Sequence, residues 1–162
     1  MELLEKDIIE QYGGMVHGFV CRIITNPEDA EEISEDVFIR AFRSWDKYDK
    51  QKANLSTWLL RIAWNEVFRY LKRQQRRPTM VEIDEQMKIV AEDAEDERLL
   101  LLERAILQLK DKERMLLEMR YKDGMSFKEI SYIMNARAGT LSVRLQRIRT
   151  RLKDIINRMM EK

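Results

Sequence analysis

ISYIMNARAGTLSVRLQRIRTRL, running from Ile130 to Leu152, joins a short apolar helix pattern to a second helix pattern loaded with arginine across a break of small residues. At about 100° per residue, Leu141, Leu145, Ile148 and Leu152 fall on one side of the second helix. Val143, Gln146, Arg147 and Thr150 lie opposite, with Arg144 and Arg151 along one edge of that outer face and Ser142 and Arg149 along the other. The preceding pattern, Phe127 to Met134, ends at Asn135, a residue type that tolerates the left-handed conformation better than other non-glycine residues, so the two helices can meet through a tight turn. This is a helix-turn-helix pattern. From Arg144 to Lys153 no acid alternates with the bases, whereas a face that is only solvated usually mixes signs. Arginines neutralise phosphates, and outward residues near the start of the second helix can reach base edges in a major groove.

Working outward, the rest of the chain also reads as helical. Its 162 residues allow one or two compact domains, and five glycines and two prolines are too few for a turn-rich β fold. No stretch of about 18 uncharged apolar residues exists, so no membrane insertion is expected. The opening MELLEKDIIE is acidic, unlike a targeting segment, and a cytoplasmic location is expected. A single cysteine, Cys21, and a single histidine, His17, leave little for a disulfide or a zinc site, and no metal or cofactor is expected.

The net charge of +1 hides three zones. Residues 1–77 carry 13 basic and 13 acidic side chains, residues 78–97 one base and eight acids, and residues 98–162 sixteen bases and eight acids. The middle zone has weak periodicity and no aromatic residue, which predicts a flexible acidic linker between two small helical bundles. In the first bundle a helix is expected near 3–24. A second follows Asn26 as cap and Pro27 in its first turn, burying Ala30, Ile33, Val37, Phe38, Ala41 and Phe42. After the loop KYDKQKANLS, a third helix is expected with Ser56 or Thr57 as its cap. In that helix Trp58, Arg61, Asn65, Arg69 and Lys72 form a polar stripe, while Leu59, Ala63, Val67 and Tyr70 take the other side. A ring beside amides and cations suits single-stranded nucleic acid, although a tryptophan at a helix start is more often core than platform. Lys72, Arg73, Arg76 and Arg77 read as general phosphate contacts. In the second bundle, breaks at Asp111 and Gly124 divide three helices, and the arginine-rich fourth is expected from about Gly139.

PEDAEEISEDVFIRAFRSW followed by STWLLRIAWN and a basic run resembles the second conserved domain of extracytoplasmic-function sigma factors, and DGMSFKEISYIMNARAGTLSVRLQRIRTRL resembles their fourth. The resemblance covers nearly the whole chain, with both motifs in the family's order. It implies a two-domain all-α transcription initiation factor that is not an enzyme, with residues 1–77 binding core RNA polymerase and the −10 element and residues 98–162 binding the −35 element. It also implies an anti-sigma factor as a partner. The family's polymerase-binding helix corresponds to Asp29 through Phe42, with Asp29, Glu32, Glu35 and Asp36 as contacts. The loop Lys50 to Ser56 and the Arg61/Asn65 face match the part that captures an extruded base of the non-template strand, with Lys52 and Asn54 as pocket candidates. Thr140, Ser142, Val143, Arg144, Gln146, Arg147 and Arg151 are the matching −35 contacts. The acidic linker looks like the connector that threads polymerase near the RNA path; a solvated tether is the plainer reading.

Three departures stand out. Glu35-Asp36 replaces a common Gln-Glu, Arg137 replaces a usual proline, and Ser142-Val143 stand where a basic residue and a serine are typical. The last of these implies an altered −35 preference, because Val143 offers only apolar contact, for instance to a thymine methyl. Two other classes explain less of the chain. A DNA-binding regulator explains the tail but gives the Trp58 stripe and the acidic zone no role. A carboxylate-bridged metal enzyme would need Glu-x-x-His pairs that the chain does not have.

Overall fold

The computed structural model describes residues 2–74 and 94–161; the acidic zone expected at 78–97 lies largely outside the described residues, as do Arg76 and Arg77. All regular structure among the described residues is helical: α1 Glu2–Cys21, α2 Pro27–Arg43, a single 3-10 turn at Trp45–Lys47, α3 Leu55–Gln74, α4 Ala94–Leu107, α5 Asp111–Tyr121, α6 Phe127–Met134 and α7 Ala138–Met160. The chain separates into two compact units, one carrying α1–α3 and the other α4, α5 and α7.

In the first unit each helix packs on the other two. Helix α1 stops at Cys21, short of the expected 24, and the chain turns through backbone bonds from Ile23 and Ile24 to the Val20 carbonyl. Asn26 then caps α2 as its sequence implies: its Oδ1 accepts the N–H groups of Glu28 at 3.0 Å and Asp29 at 3.1 Å, and Pro27 occupies the first turn, where a missing N–H costs nothing. The expected α2 stripe of Ala30, Ile33, Val37, Phe38 and Ala41 is buried; Phe42 is only half-buried, against the Phe38 ring at 6.2 Å. The expected cap of α3 needs correction. The helix already begins at Leu55, so Ser56 and Thr57 lie inside its first turn, and the Asn54 carbonyl accepts the Trp58 N–H at 3.0 Å.

In the second unit α4 and α5 both pack on α7, whose Leu141, Leu145, Ile148 and Leu152 are buried. Gly124, at φ +66, ends the link after α5, where Met125 N–H bonds back to the Met119 carbonyl. Arg120 pins the turn from the side, donating to the Met125 carbonyl at 2.9 Å and covering the Phe127 ring. Ser126 caps the start of α6 with its side chain: the hydroxyl accepts the Glu129 N–H at 3.1 Å and donates to the Glu129 carboxylate at 3.2 Å. Asn135 adopts φ 53, the only positive φ outside glycine among the described residues, and three residues after α6 the chain enters α7. The expected tight turn is therefore present.

Candidate nucleic-acid interface

Two cationic faces emerge, one on each unit. On α7 the register that buries the four apolar residues leaves Thr140, Ser142, Val143, Arg144, Gln146, Arg147 and Arg151 exposed, together with Arg149, Thr150 and Lys153. These side chains differ in their freedom. Arg151 pairs with Glu113 of α5 at 2.6 Å, and Arg149 lies over the Tyr121 ring at 5.9 Å, so both brace the unit from within. Thr150 turns its hydroxyl onto the Gln146 carbonyl at 3.1 Å. A phosphate contact by Arg151 therefore competes with Glu113, a neighbour 38 residues away that helix periodicity does not predict. On the same unit an apolar hollow of about 570 Å³ opens between α4 and α5, lined by Leu102, Ile106, Leu107, Leu117 and Tyr121.

On α3, Arg61 is half-buried, and Asn65, Arg69, Lys72 and Arg73 are exposed along the expected stripe. Trp58 is the exception: its place as a stacking platform on the stripe is corrected to the core placement that a tryptophan at a helix start favours. It is 7% exposed, with its ring edge-on to Trp45 at 5.9 Å and tilted against Tyr48 at 4.9 Å. Both partners come from the segment after α2, so the loop itself covers the indole. That loop is ordered by its own bonds. Asp49 Oδ1 accepts the Gln51 N–H at 2.9 Å, its carbonyl accepts the Lys52 N–H at 3.1 Å, and the Tyr48 hydroxyl reaches across to the Ala53 carbonyl at 3.2 Å. Lys52 and Asn54 stay exposed on top of this frame. Trp58 thus supports the candidate base-capture loop from beneath.

Helix α2 presents Glu32, Glu35 and Asp36 to solvent, but Asp29 is half-buried and already engaged. The Tyr70 hydroxyl donates to Asp29 Oδ2 at 2.5 Å. That bond, with burial and the nearby negative charges, pushes the phenol up to about 12 from its ordinary 10.0. Because the folded value lies above the unfolded one, the bond's contribution is complete below pH 10 and is lost as pH rises through about 12. Tyrosinate absorbance should show a tyrosine ionising near 12, and Asp29→Asn should bring it back toward 10. A profile unchanged by Asp29→Asn would count against the pairing.

Sequence reasoning missed two residues of this region. Glu66 on α3 is buried, and its Oε1 accepts both Arg40 Nε of α2 and Arg69 Nη1 at 3.3 Å. The α2–α3 groove that this pair crosses, about 910 Å³, is lined by the acids Asp29, Glu32 and Asp36 and by the bases Arg40, Arg43 and Arg73. Away from it, Cys21 and His17 are exposed neighbours on α1, 3.6 Å apart. Among the described residues no group of three metal-ligating side chains is present, and no helix is long and apolar enough to cross a membrane.

Comparison with known proteins finds two matching regions. Residues 8–77 match the family model of sigma-70 region 2, and residues 99–152 that of sigma-70 region 4. The ECF RNA polymerase sigma factor SigW of Bacillus subtilis is 28% identical, with 92% of this chain and 89% of that protein covered. The ECF RNA polymerase sigma-E factor of Escherichia coli is 31% identical over 156 residues, covering 88% of this chain and 81% of that protein. The same fold occurs in the sigma factor RpoE of Bartonella quintana, solved in complex with the anti-sigma factor NepR, at a TM-score of 0.66 and 19% identity over 94% of this chain and 96% of that one. CnrH, solved in complex with the cytosolic domain of CnrY, has it at a TM-score of 0.64 and 16% identity, with 97% and 90% covered. Two region-specific matches in order, and a relative at 31% identity along most of its length, mean that this chain belongs to the extracytoplasmic-function sigma factors of RNA polymerase.

Proposed function

We propose that this protein is an alternative sigma factor that joins core RNA polymerase and directs promoter-specific initiation, with the α3 face and its loop on the −10 non-template strand and α7 in the major groove of the −35 duplex. In this reading residues 1–77 are the polymerase- and −10-binding domain and residues 98–162 the −35-binding domain, with the acidic stretch between them as the connector. The observation that carries it is the pair of separate cationic faces, one on each unit, each within a segment that matches a different sigma region.

The physical division of labour follows from what each face offers. Helix α7 supplies a rigid rod with arginines on its exposed side, suited to intact duplex. The α3 face adds a loop with polar tips to a shorter cationic stripe. Drawing a base out of its stack costs a few kcal/mol, which an ordered pocket must return; Lys52, Asn54, Arg61 and Asn65 are the groups placed around that loop and stripe to do so. The exposed acids Glu32, Glu35 and Asp36 suit a basic surface of the core enzyme. Since a sigma factor of this fold was solved with an anti-sigma factor, an inhibitory protein that covers these faces is the expected regulator. The setting of all these partners is the cytoplasm.

Run-off transcription tests the reading. Core polymerase with this protein should initiate at its cognate promoter, and the double substitution Arg61→Ala/Asn65→Ala should reduce opening by about 10- to 100-fold, the worth of one or two lost base contacts, while −35 footprinting persists. Footprinting of duplex DNA by the protein alone, with no transcription when core enzyme is added, would favour the regulator reading instead.

A further inference from the structure

Arg40 belongs to α2, which the sigma-factor reading assigns to the polymerase, yet its side chain turns toward α3. There it meets Glu66, whose side chain is only 10% exposed, while the Arg40 and Arg69 side chains remain 49% and 44% exposed. Both guanidinium groups converge on the same carboxylate oxygen, Glu66 Oε1. Arg40 uses Nε for this, which leaves both of its terminal nitrogens, and Arg69 uses Nη1, which leaves Nη2 and Nε. A guanidinium held through one edge presents its other donors in a fixed plane, the geometry that suits bidentate contact with a phosphate. Arg40, Lys47, Lys52, Arg61, Asn65 and Arg69 border one hollow, so the pair sits beside the groups assigned to the melted strand.

We propose that Arg40 and Arg69 form a phosphate clamp for the single-stranded DNA backbone, and that Glu66 is the positioning residue that holds them side by side. Two guanidinium groups from facing helices would repel and swing apart in solvent without a shared anion; the buried carboxylate supplies that anion from the inner side and leaves the outer side for a phosphodiester. The shared carboxylate carries one negative charge against two positive ones, so the cluster keeps a net positive charge toward the hollow. This inference rests on the −10 reading above and adds to it a residue from the polymerase-facing helix.

The experiment measures binding of the holoenzyme to a forked promoter with a single-stranded non-template −10 segment, as a function of salt. Arg40→Ala should lower the slope of log affinity on log salt by about 0.7, the value for one phosphate contact on a single strand, whereas Arg40→Lys should retain it. Glu66→Gln should slow opening several-fold in the otherwise unaltered protein and have no effect in an Arg40→Ala/Arg69→Ala background, where nothing remains to be positioned. A purely structural ion pair predicts the opposite pattern, with a lower Tm for Arg40→Ala and an unchanged salt slope, and that result overturns the clamp. So does a defect of Arg40→Ala confined to assembly with core enzyme. Arg61→Ala/Asn65→Ala is run alongside: if it weakens strand binding and Arg40→Ala does not, the clamp alone fails, and if neither does, the −10 reading fails with it.

Discussion

Trp58→Ala is expected to destabilise the α1–α3 unit by about 3–5 kcal/mol, the range for deleting a large aromatic side chain from a packed core, and to lose −10 opening with it. The indole is enclosed by Trp45, Tyr48 and its own helix, and a cavity there can close only if the loop collapses. Thermal or urea unfolding reads the first effect and run-off transcription the second. Trp58→Phe keeps a ring against Tyr48 and should retain most of both. A stacking platform would behave differently: stability would be untouched, and single-strand affinity would fall by about 1–3 kcal/mol.

The reason to expect loss of function through a buried residue is pre-organisation. Lys52 and Asn54 have no apolar anchor of their own; their backbone is held by the Asp49 turn, the Tyr48 hydroxyl and the aromatic rings below. An ordered loop returns the cost of extracting a base only if that order is not also paid for on binding. Removing the indole would convert a formed pocket into one that must be formed each time.

What could be read without the structure was set by local chemistry. Asn26-Pro27, Asn135 and Gly124 each act through their own dihedral angles or capping bonds, and all three lie where the sequence placed them. The α7 stripe was likewise visible, because a helix with one apolar edge fixes its own exposed side. The errors came from neighbours distant in sequence. Periodicity put Trp58 on the polar stripe and had no means of knowing that Trp45 and Tyr48 fold over that turn. Arg151 looked free until α5 brought Glu113 beside it. Glu66 left a usable trace: at about 100° per residue it falls beside Leu59, at the edge of the arc of Leu59, Ala63, Val67 and Tyr70, and a carboxylate bordering a buried arc requires a partner. Arg69, three residues on, was one candidate; Arg40, on another helix, left no such trace.

At the other unit, Arg147→Ala should change which base is preferred at one −35 position, with a loss of about 1–3 kcal/mol against the preferred base and little against the others, because a bidentate contact to a base edge is worth that much discrimination. Arg147 is exposed on the outer face and, among the described residues, no ion pair diverts it, unlike Arg151, which Glu113 engages. Lys153→Ala, near the end of the same cationic run, is the control: it should weaken binding to every sequence alike and lower the salt slope by about 0.9, the value for one duplex phosphate. Selection from a randomised −35 library by the holoenzyme measures both. The neighbouring Val143, 48% exposed, presents only methyl groups to the groove, so the same selection should show a thymine preference at the adjacent base pair that Val143→Ser weakens. If Arg147→Ala instead lowers affinity for all sequences equally, its guanidinium serves the backbone, and base choice must then lie with Ser142, Arg144 or Gln146 on the same face.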